Sequence, residues 1–176
     1  MEFTIKEIIC RTPYLEDKKT QILLEEFHDL KKIGYYNKKQ ALKVLKWKSP
    51  RPTRYYELNT EEDFINITST AFKQHNEKLK IHILTALEGV NYPSASALLM
   101  FYDQKYPVLD IRVWRQLYRL GSVNSNPKGK NFTLNQWSKY LEVINILSKE
   151  FKINQRQIEK QIFDYDKISQ IGLLYK

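Results

Sequence analysis

A single glycine between two apolar helical segments constrains the fold of this chain more than any other feature. Gly89 stands in the run Leu87-Glu88-Gly89-Val90-Asn91, and on both sides apolar residues recur three and four positions apart. A turn this tight needs a backbone with positive φ, which glycine adopts without steric cost and asparagine tolerates. Pro93 suits the first turn of the next helix, where no backbone N–H is required. The pattern predicts a helical hairpin over residues 79–103.

The same helical spacing continues through most of the chain, and no convincing alternating strand pattern is present. Two helix starts carry a capping-box signal, at Thr60 with Asp63 and at Thr133 with Gln136. A length of 176 residues is typical of one compact domain. We therefore predict an all-α fold of about eight helices in a single domain, residues 1–176.

The charge balance favours a polyanionic partner. The chain has 29 Lys and Arg against 20 Asp and Glu, a formal net charge of +9. A basic surface attracts nucleic acid and speeds encounter with it. The one cysteine, Cys10, excludes an internal disulfide, an iron–sulfur cluster and a cysteine-based zinc site. Without a long apolar run near the N-terminus, we expect no signal peptide, no membrane span and a cytoplasmic location.

The hairpin is a candidate phosphate-binding site. Its turn and the start of the following helix should leave backbone N–H groups available, and the helix dipole favours an anion there. The predicted residues are Gly89, Val90, Asn91 and Ser94, with Val90 filling the space between the two helices. The alternative is a plain helical hairpin that binds no ligand.

Asp110 is the candidate reactive carboxylate. It follows the apolar run Tyr106-Pro107-Val108-Leu109 and opens an amphipathic helix predicted over residues 110–121. Because aspartate is a favoured helix N-cap, a capping role alone is one interpretation. The spacing to the hairpin supports another, since Gly89 and Asp110 are 21 residues apart.

Taken together, Leu87–Gly121 resembles the hairpin and catalytic-aspartate region of the helix-hairpin-helix (HhH-GPD) DNA glycosylase superfamily. The resemblance rests on the glycine turn, the segment Pro-Val-Leu-Asp-Ile-Arg-Val and the helix end Arg119-Leu120-Gly121. The family's turn usually reads Leu-Pro-Gly-Val-Gly, and this chain has Glu88 in place of the proline and Asn91 in place of the second glycine. The resemblance implies an HhH-GPD-like fold, double-stranded DNA as partner, and Asp110 as the catalytic residue. A fixed carboxylate would stabilise the positive charge on the sugar as the base leaves.

The resemblance also bears on strand cleavage and cofactors. Family members that cut the DNA backbone carry a lysine near the start of the helix after the hairpin, where this chain has Tyr92, Pro93 and Ser94. It therefore implies a monofunctional glycosylase that leaves an abasic site, with a lysine elsewhere as the alternative. We expect a monomer without a metal cofactor, and the hairpin carbonyls are a candidate site for a monovalent cation.

The segment 46–56 lies where the family places a loop that probes the duplex and lines the base pocket. Arginines there could fill the gap left by a flipped base, and aromatic rings could stack on it. The alternative is a solvated basic loop with a core tryptophan, and an arginine that only covers a helix surface. The candidates are Trp47, Arg51, Arg54, Tyr55, Tyr92 and Arg112.

Three functions remain open from the sequence. The first is antiphage defence, with excision of a hypermodified base such as glucosylated hydroxymethylcytosine, which an enlarged polar pocket at Asp110 would favour. The second is base-excision repair of a damaged or mismatched base. The third is a DNA-binding module without chemistry, which a blocked pocket or an aspartate engaged only as a cap would favour.

Overall fold

The structure is a computed structural model that describes residues 3–169. This part of the chain contains helices and no strand, so the all-α prediction is confirmed. The termini of the predicted domain, residues 1–2 and 170–176, lie outside the described residues. The helices are α1 (Ile5–Arg11), α2 (Lys18–Glu26), α3 (Leu30–Ile33), α4 (Lys38–Lys48), α5 (Thr53–Tyr56), α6 (Glu61–Phe72), α7 (Glu77–Leu84), α8 (Tyr92–Tyr102), α9 (Ile111–Arg119), α10 (Leu134–Phe151) and α11 (Gln155–Ser169).

Helix α8 is the centre of the fold. Every residue from Ser94 to Phe101 is buried, as expected of a helix with neighbours on all sides. Its small polar residues have partners: the Ser96 hydroxyl donates to the Pro93 carbonyl at 2.7 Å and accepts from Leu109 N–H at 2.8 Å. The second contact ties the segment before α9 to the core helix and so restrains the position of Asp110.

The hairpin between α7 and α8 is closed by one left-handed glycine and one buried side chain. Gly89 has φ +78°, as predicted. Asn91, however, is extended at φ −106° and caps α8, so the tight turn needs positive φ at one residue only. Asn59, 4% exposed, accepts from Glu88 N–H at 2.8 Å and donates to the Glu88 carbonyl at 3.2 Å. The turn is therefore fixed to the α5–α6 connection.

Helix α9 packs against α11, and a basic loop folds back onto its first turn. The apolar side of α9 is buried through Val113, Trp114 and Leu117. The Trp114 indole N–H donates to the Asn126 carbonyl at 2.9 Å, which holds the loop of residues 122–131 beside the start of the helix. This packing brings a cationic segment next to the N-terminus of α9.

Helix α11 joins the two ends of the described chain through buried polar contacts. Arg156, 3% exposed, donates to both Glu16 carboxylate oxygens at 2.9 Å and also pairs with Glu159. Burial disfavours the guanidinium charge, but Glu159 and Glu16 outweigh it and raise the pKa of Arg156. Within residues 3–169, no helix has both the length and the apolar character needed to cross a membrane.

Candidate active site

A lysine–aspartate pair joins two helices at one edge of the core. Lys48 is the last residue of α4, and Asp110 is the N-cap of α9. Lys48 Nζ lies 2.6 Å from Asp110 Oδ2, and the two side chains are 12% and 19% exposed. Asp110 Oδ1 accepts from Arg112 N–H at 2.9 Å. One carboxylate oxygen thus caps the helix, while the other faces the amine.

This environment keeps Asp110 ionised. Burial raises the pKa of the carboxyl, because a charge in a poorly solvated site is unfavourable. The Lys48 charge, the hydrogen bond from Lys48 and the Arg112 N–H outweigh burial and bring the pKa below the usual aspartate value. The site therefore holds a fixed, poorly hydrated negative charge at neutral pH.

Two cavities meet at this pair. The outer groove has a volume of about 440 Å³ and the inner cavity about 170 Å³. The outer groove is lined by, among others, Lys48, Arg51, Asn91, Ser94, Asp110 and Lys130. The inner cavity is lined by, among others, Trp47, Lys48, Asp110, Arg156, Glu159 and Phe163.

The outer groove suits an anionic chain. Arg51 comes from the α4–α5 connection and Lys130 from the basic loop, so cations from separate segments line one groove with Lys48. Cations that line a common groove raise the local concentration of a polyanion. The groove also includes Asn91, at the start of the hairpin's second helix.

The hairpin has donors available beside this groove. Among the described residues, the backbone N–H groups of Gly89, Asn91 and Tyr92 donate no hydrogen bond, whereas Val90 N–H donates to the Leu87 carbonyl at 3.1 Å. Ser94 differs, because its N–H donates to the Asn91 side chain at 3.1 Å and its hydroxyl contacts Tyr56 at 3.1 Å. Unpaired N–H groups close together at a turn and a helix N-terminus are the kind of donor set that binds phosphate.

The inner cavity combines aromatic walls with buried charge. The Trp47 indole N–H donates to Thr20 at 2.9 Å, and its ring packs edge-on against Phe101 at 5.0 Å. Trp47 is therefore held in place at the wall and leaves the cavity open. Arg156 and Glu159, both almost fully buried, add polar groups to the lining, and the Arg156 guanidinium lies 5.8 Å from the centre of the Trp47 ring.

The structure separates the other predicted residues from the Lys48–Asp110 pair. The Arg54 guanidinium lies 4.6 Å from the Tyr55 ring and donates to its hydroxyl at 2.7 Å, beside Gly89 at the hairpin. Tyr92 contacts His82, with its hydroxyl 3.0 Å from His82 Nδ1. None of these three predicted residues lines either cavity.

Arg112 is engaged with α11. Its guanidinium pairs with Asp166 at 3.0 Å and lies 5.8 Å from the Phe163 ring. Of the two roles considered from the sequence, this contact favours a structural one, which links α9 to α11. The backbone N–H of Arg112 nevertheless touches the site through Asp110.

Several residues at the site carried no individual signal in the sequence. Lys48 lies in the segment 46–56, where the sequence did not distinguish it from its basic neighbours, and Lys130 lies in the loop of residues 122–131, which carried no motif. Arg156, Glu159 and Phe163 repeat with ordinary helical spacing on α11. Only their position beside Asp110 in the inner cavity marks them.

Within residues 3–169, no group of three or more His, Cys, Asp and Glu side chains is arranged to hold a metal ion. At the hairpin, the Glu88 and Leu87 carbonyls accept hydrogen bonds from Asn59 and Val90. A monovalent cation there stays a prediction. In comparisons with known proteins, no protein-family model matches the chain, and neither the curated proteins nor the solved structures give a significant match.

Proposed function

We propose that this protein is a DNA N-glycosylase that hydrolyses the bond between a base and its deoxyribose, with Asp110 as the catalytic carboxylate. The observation that carries the proposal is the position of Asp110. Its carboxylate is ionised and mostly buried. It borders both the cationic outer groove, beside the unpaired backbone N–H groups of the hairpin, and the small inner cavity with its aromatic walls. An HhH-GPD-like arrangement of the fold is part of the same proposal.

The chemistry follows from the charge. As the glycosidic bond breaks, the sugar becomes oxocarbenium-like, and a fixed negative charge close to it stabilises the transition state. The low exposure of Asp110 strengthens this effect, because less water screens the interaction. The same carboxylate is suited to orient or deprotonate the attacking water.

The two cavities have separate roles in the proposal. The strand lies in the outer groove, with a phosphate at the N–H groups of Gly89, Asn91 and Tyr92 and further phosphates near Arg51 and Lys130. The target base leaves the stack and enters the inner cavity. There it stacks on an aromatic wall, beside the buried Arg156–Glu159 pair.

The best-supported substrate class is a modified base. Asp110 borders both cavities, so a base in the inner one can extend a substituent into the larger, polar outer groove. This geometry favours a hypermodified cytosine, such as the glucosylated hydroxymethyl form, and hence a role in antiphage defence. The modest inner volume favours the second candidate, repair of a damaged base without a large substituent.

A DNA-binding module is the alternative outside catalysis. The observation in its favour is that both oxygens of Asp110 have partners, the Arg112 N–H and Lys48. In that case the aspartate would only join α4 to α9.

The test is base release from a panel of duplexes and phage genomic DNAs that contain modified bases. We expect the wild type to release one class of base and Asp110→Asn, which keeps the shape and the capping oxygen, to release none. Asp29→Asn is the matched control, because Asp29 is exposed and lines neither cavity. Binding of DNA by the wild type with no base loss from any substrate would support the binding module instead.

A further inference from the structure

We propose that Lys48 is a second catalytic residue, an amine that forms a Schiff base with the abasic sugar and so makes the enzyme a strand-cleaving lyase. The inference rests on the proposed function for the origin of the abasic sugar. It replaces the monofunctional prediction, which depended on the missing lysine near Pro93. The amine reaches the site from α4 instead.

The geometry distinguishes Lys48 from the other cavity lysines. Its Nζ is 2.6 Å from Asp110 Oδ2, so a sugar carbon placed against the carboxylate also lies within reach of the amine. It borders both cavities. Lys130 is exposed at the outer groove, and Lys160 at the inner cavity pairs with Asp164.

A purely structural role at this position does not require a lysine. Neutralising Asp110 and interacting with the C-terminal end of α4 need only a positive charge, which arginine also supplies. A lysine amine can in addition lose a proton and attack a carbonyl carbon. The hydrogen bond to Asp110 gives that proton an acceptor at the site of reaction.

The step balances without an oxidant or reductant. After base release the deoxyribose ring opens to an aldehyde at C1′. Asp110 accepts one proton from the Lys48 ammonium, and the neutral Nζ adds to C1′. Return of that proton to the hydroxyl of the adduct and loss of one water give a protonated imine. A base, for which Asp110 is placed, removes a C2′ proton, the C2′–C3′ double bond forms, and the C3′–O bond breaks with departure of the phosphate. Water then hydrolyses the imine and returns the amine.

The experiment uses a duplex with a preformed abasic site, so that no knowledge of the excised base is needed. The full chain is incubated with it in the presence of borohydride, which reduces an imine to a stable secondary amine. We expect a covalent protein–DNA adduct that peptide mass spectrometry maps to Lys48, and strand breaks without alkali when borohydride is omitted. Lys48→Arg, which keeps the charge, should lose both. Lys43→Arg should keep both, because Lys43 lies on the same helix, pairs with Glu26 and lines neither cavity.

Two results would overturn the inference: an adduct that maps to another residue, or no adduct together with breaks that need alkali. Mapping on the wild type makes the test independent of whether a Lys48 variant folds. The outcomes for the two proposals also separate. Base release without an adduct removes the lyase and keeps the glycosylase, while an adduct at Lys48 without base release from any substrate removes the glycosylase.

Discussion

At the residue scale, Asp110 divides its two oxygens between a helix and an amine. Oδ1 satisfies the first turn of α9, a local role that aspartate commonly takes. Oδ2 meets Lys48, whose backbone lies on a different helix. Asp110 therefore does more than cap α9, because a cap requires only the first of these contacts.

The two contacts predict how Asp110 responds to pH. In Lys48→Met the charge and hydrogen bond that lower the pKa are gone while burial remains, so the pKa of Asp110 should rise. In the wild type the lowered pKa means that the stabilising contribution of the carboxylate is lost as the pH falls from the usual aspartate pKa through the lowered one. In the variant the folded protein takes up this proton at a higher pH, and the stabilising contribution is smaller.

Carbon-detected NMR titration of the aspartate carboxyls measures this shift, with Asp110→Asn used to identify the resonance. Lys130→Met, which removes a cation from the same groove, should change the Asp110 pKa much less. An unchanged titration in Lys48→Met would contradict the electrostatic account of the pair.

At the scale of elements, the hairpin depends on the contact between its glycine and α5. A Cβ added to Gly89 would lie 2.7 Å from Tyr55 Cβ, whereas one added to Gly34 meets nothing within 4 Å. Both glycines have positive φ, at +78° and +83°. A comparison of alanine substitutions at the two positions therefore separates the cost of backbone strain from the cost of steric overlap.

We expect Gly34→Ala to lower the free energy of unfolding by about 1–2 kcal/mol, the cost of a left-handed backbone with a side chain. Gly89→Ala should lose roughly 1–3 kcal/mol more, because α5 must also shift. Urea denaturation followed by circular dichroism gives both values. Equal losses would mean that the hairpin does not press against Tyr55.

Among the features of the elements, the helix boundaries were predicted best from the sequence. The capping boxes at Thr60 and Thr133 are present, and the hairpin glycine has the expected backbone. The prediction of about eight helices was low against the eleven in the described residues, because α1 has only seven residues and α3 and α5 only four, too few for a clear periodic pattern. The uniform burial of α8 also escaped prediction, since it depends on neighbours that are distant in sequence.

At the scale of the whole molecule, the net charge of +9 favours DNA binding most where positive side chains lie close together. The outer groove gathers Lys48 and Arg51 from one segment and Lys130 from another, distant in sequence, around one carboxylate. If DNA lies there, its affinity should depend on salt through the phosphates that these cations neutralise.

We expect Arg51→Ala and Lys130→Ala each to weaken DNA binding and to reduce the slope of log Kd against log salt concentration by about one. Fluorescence anisotropy over a range of salt concentrations measures this slope. Lys6→Ala is the control, because Lys6 pairs with Glu150 and lines neither cavity. A slope that changes equally in all three variants would place the DNA elsewhere.

By itself, the sequence determined the helical class, the glycine turn and the aspartate at the start of α9, because each depends on residues within one or two helical turns. Only the tertiary structure decided that Lys48 meets Asp110 across 62 positions and that Arg156 meets Glu16 across 140. It also decided that Tyr92 and Arg112 have partners away from the Lys48–Asp110 pair. Such contacts follow from how all the helices pack together, and no local pattern of residues specifies them.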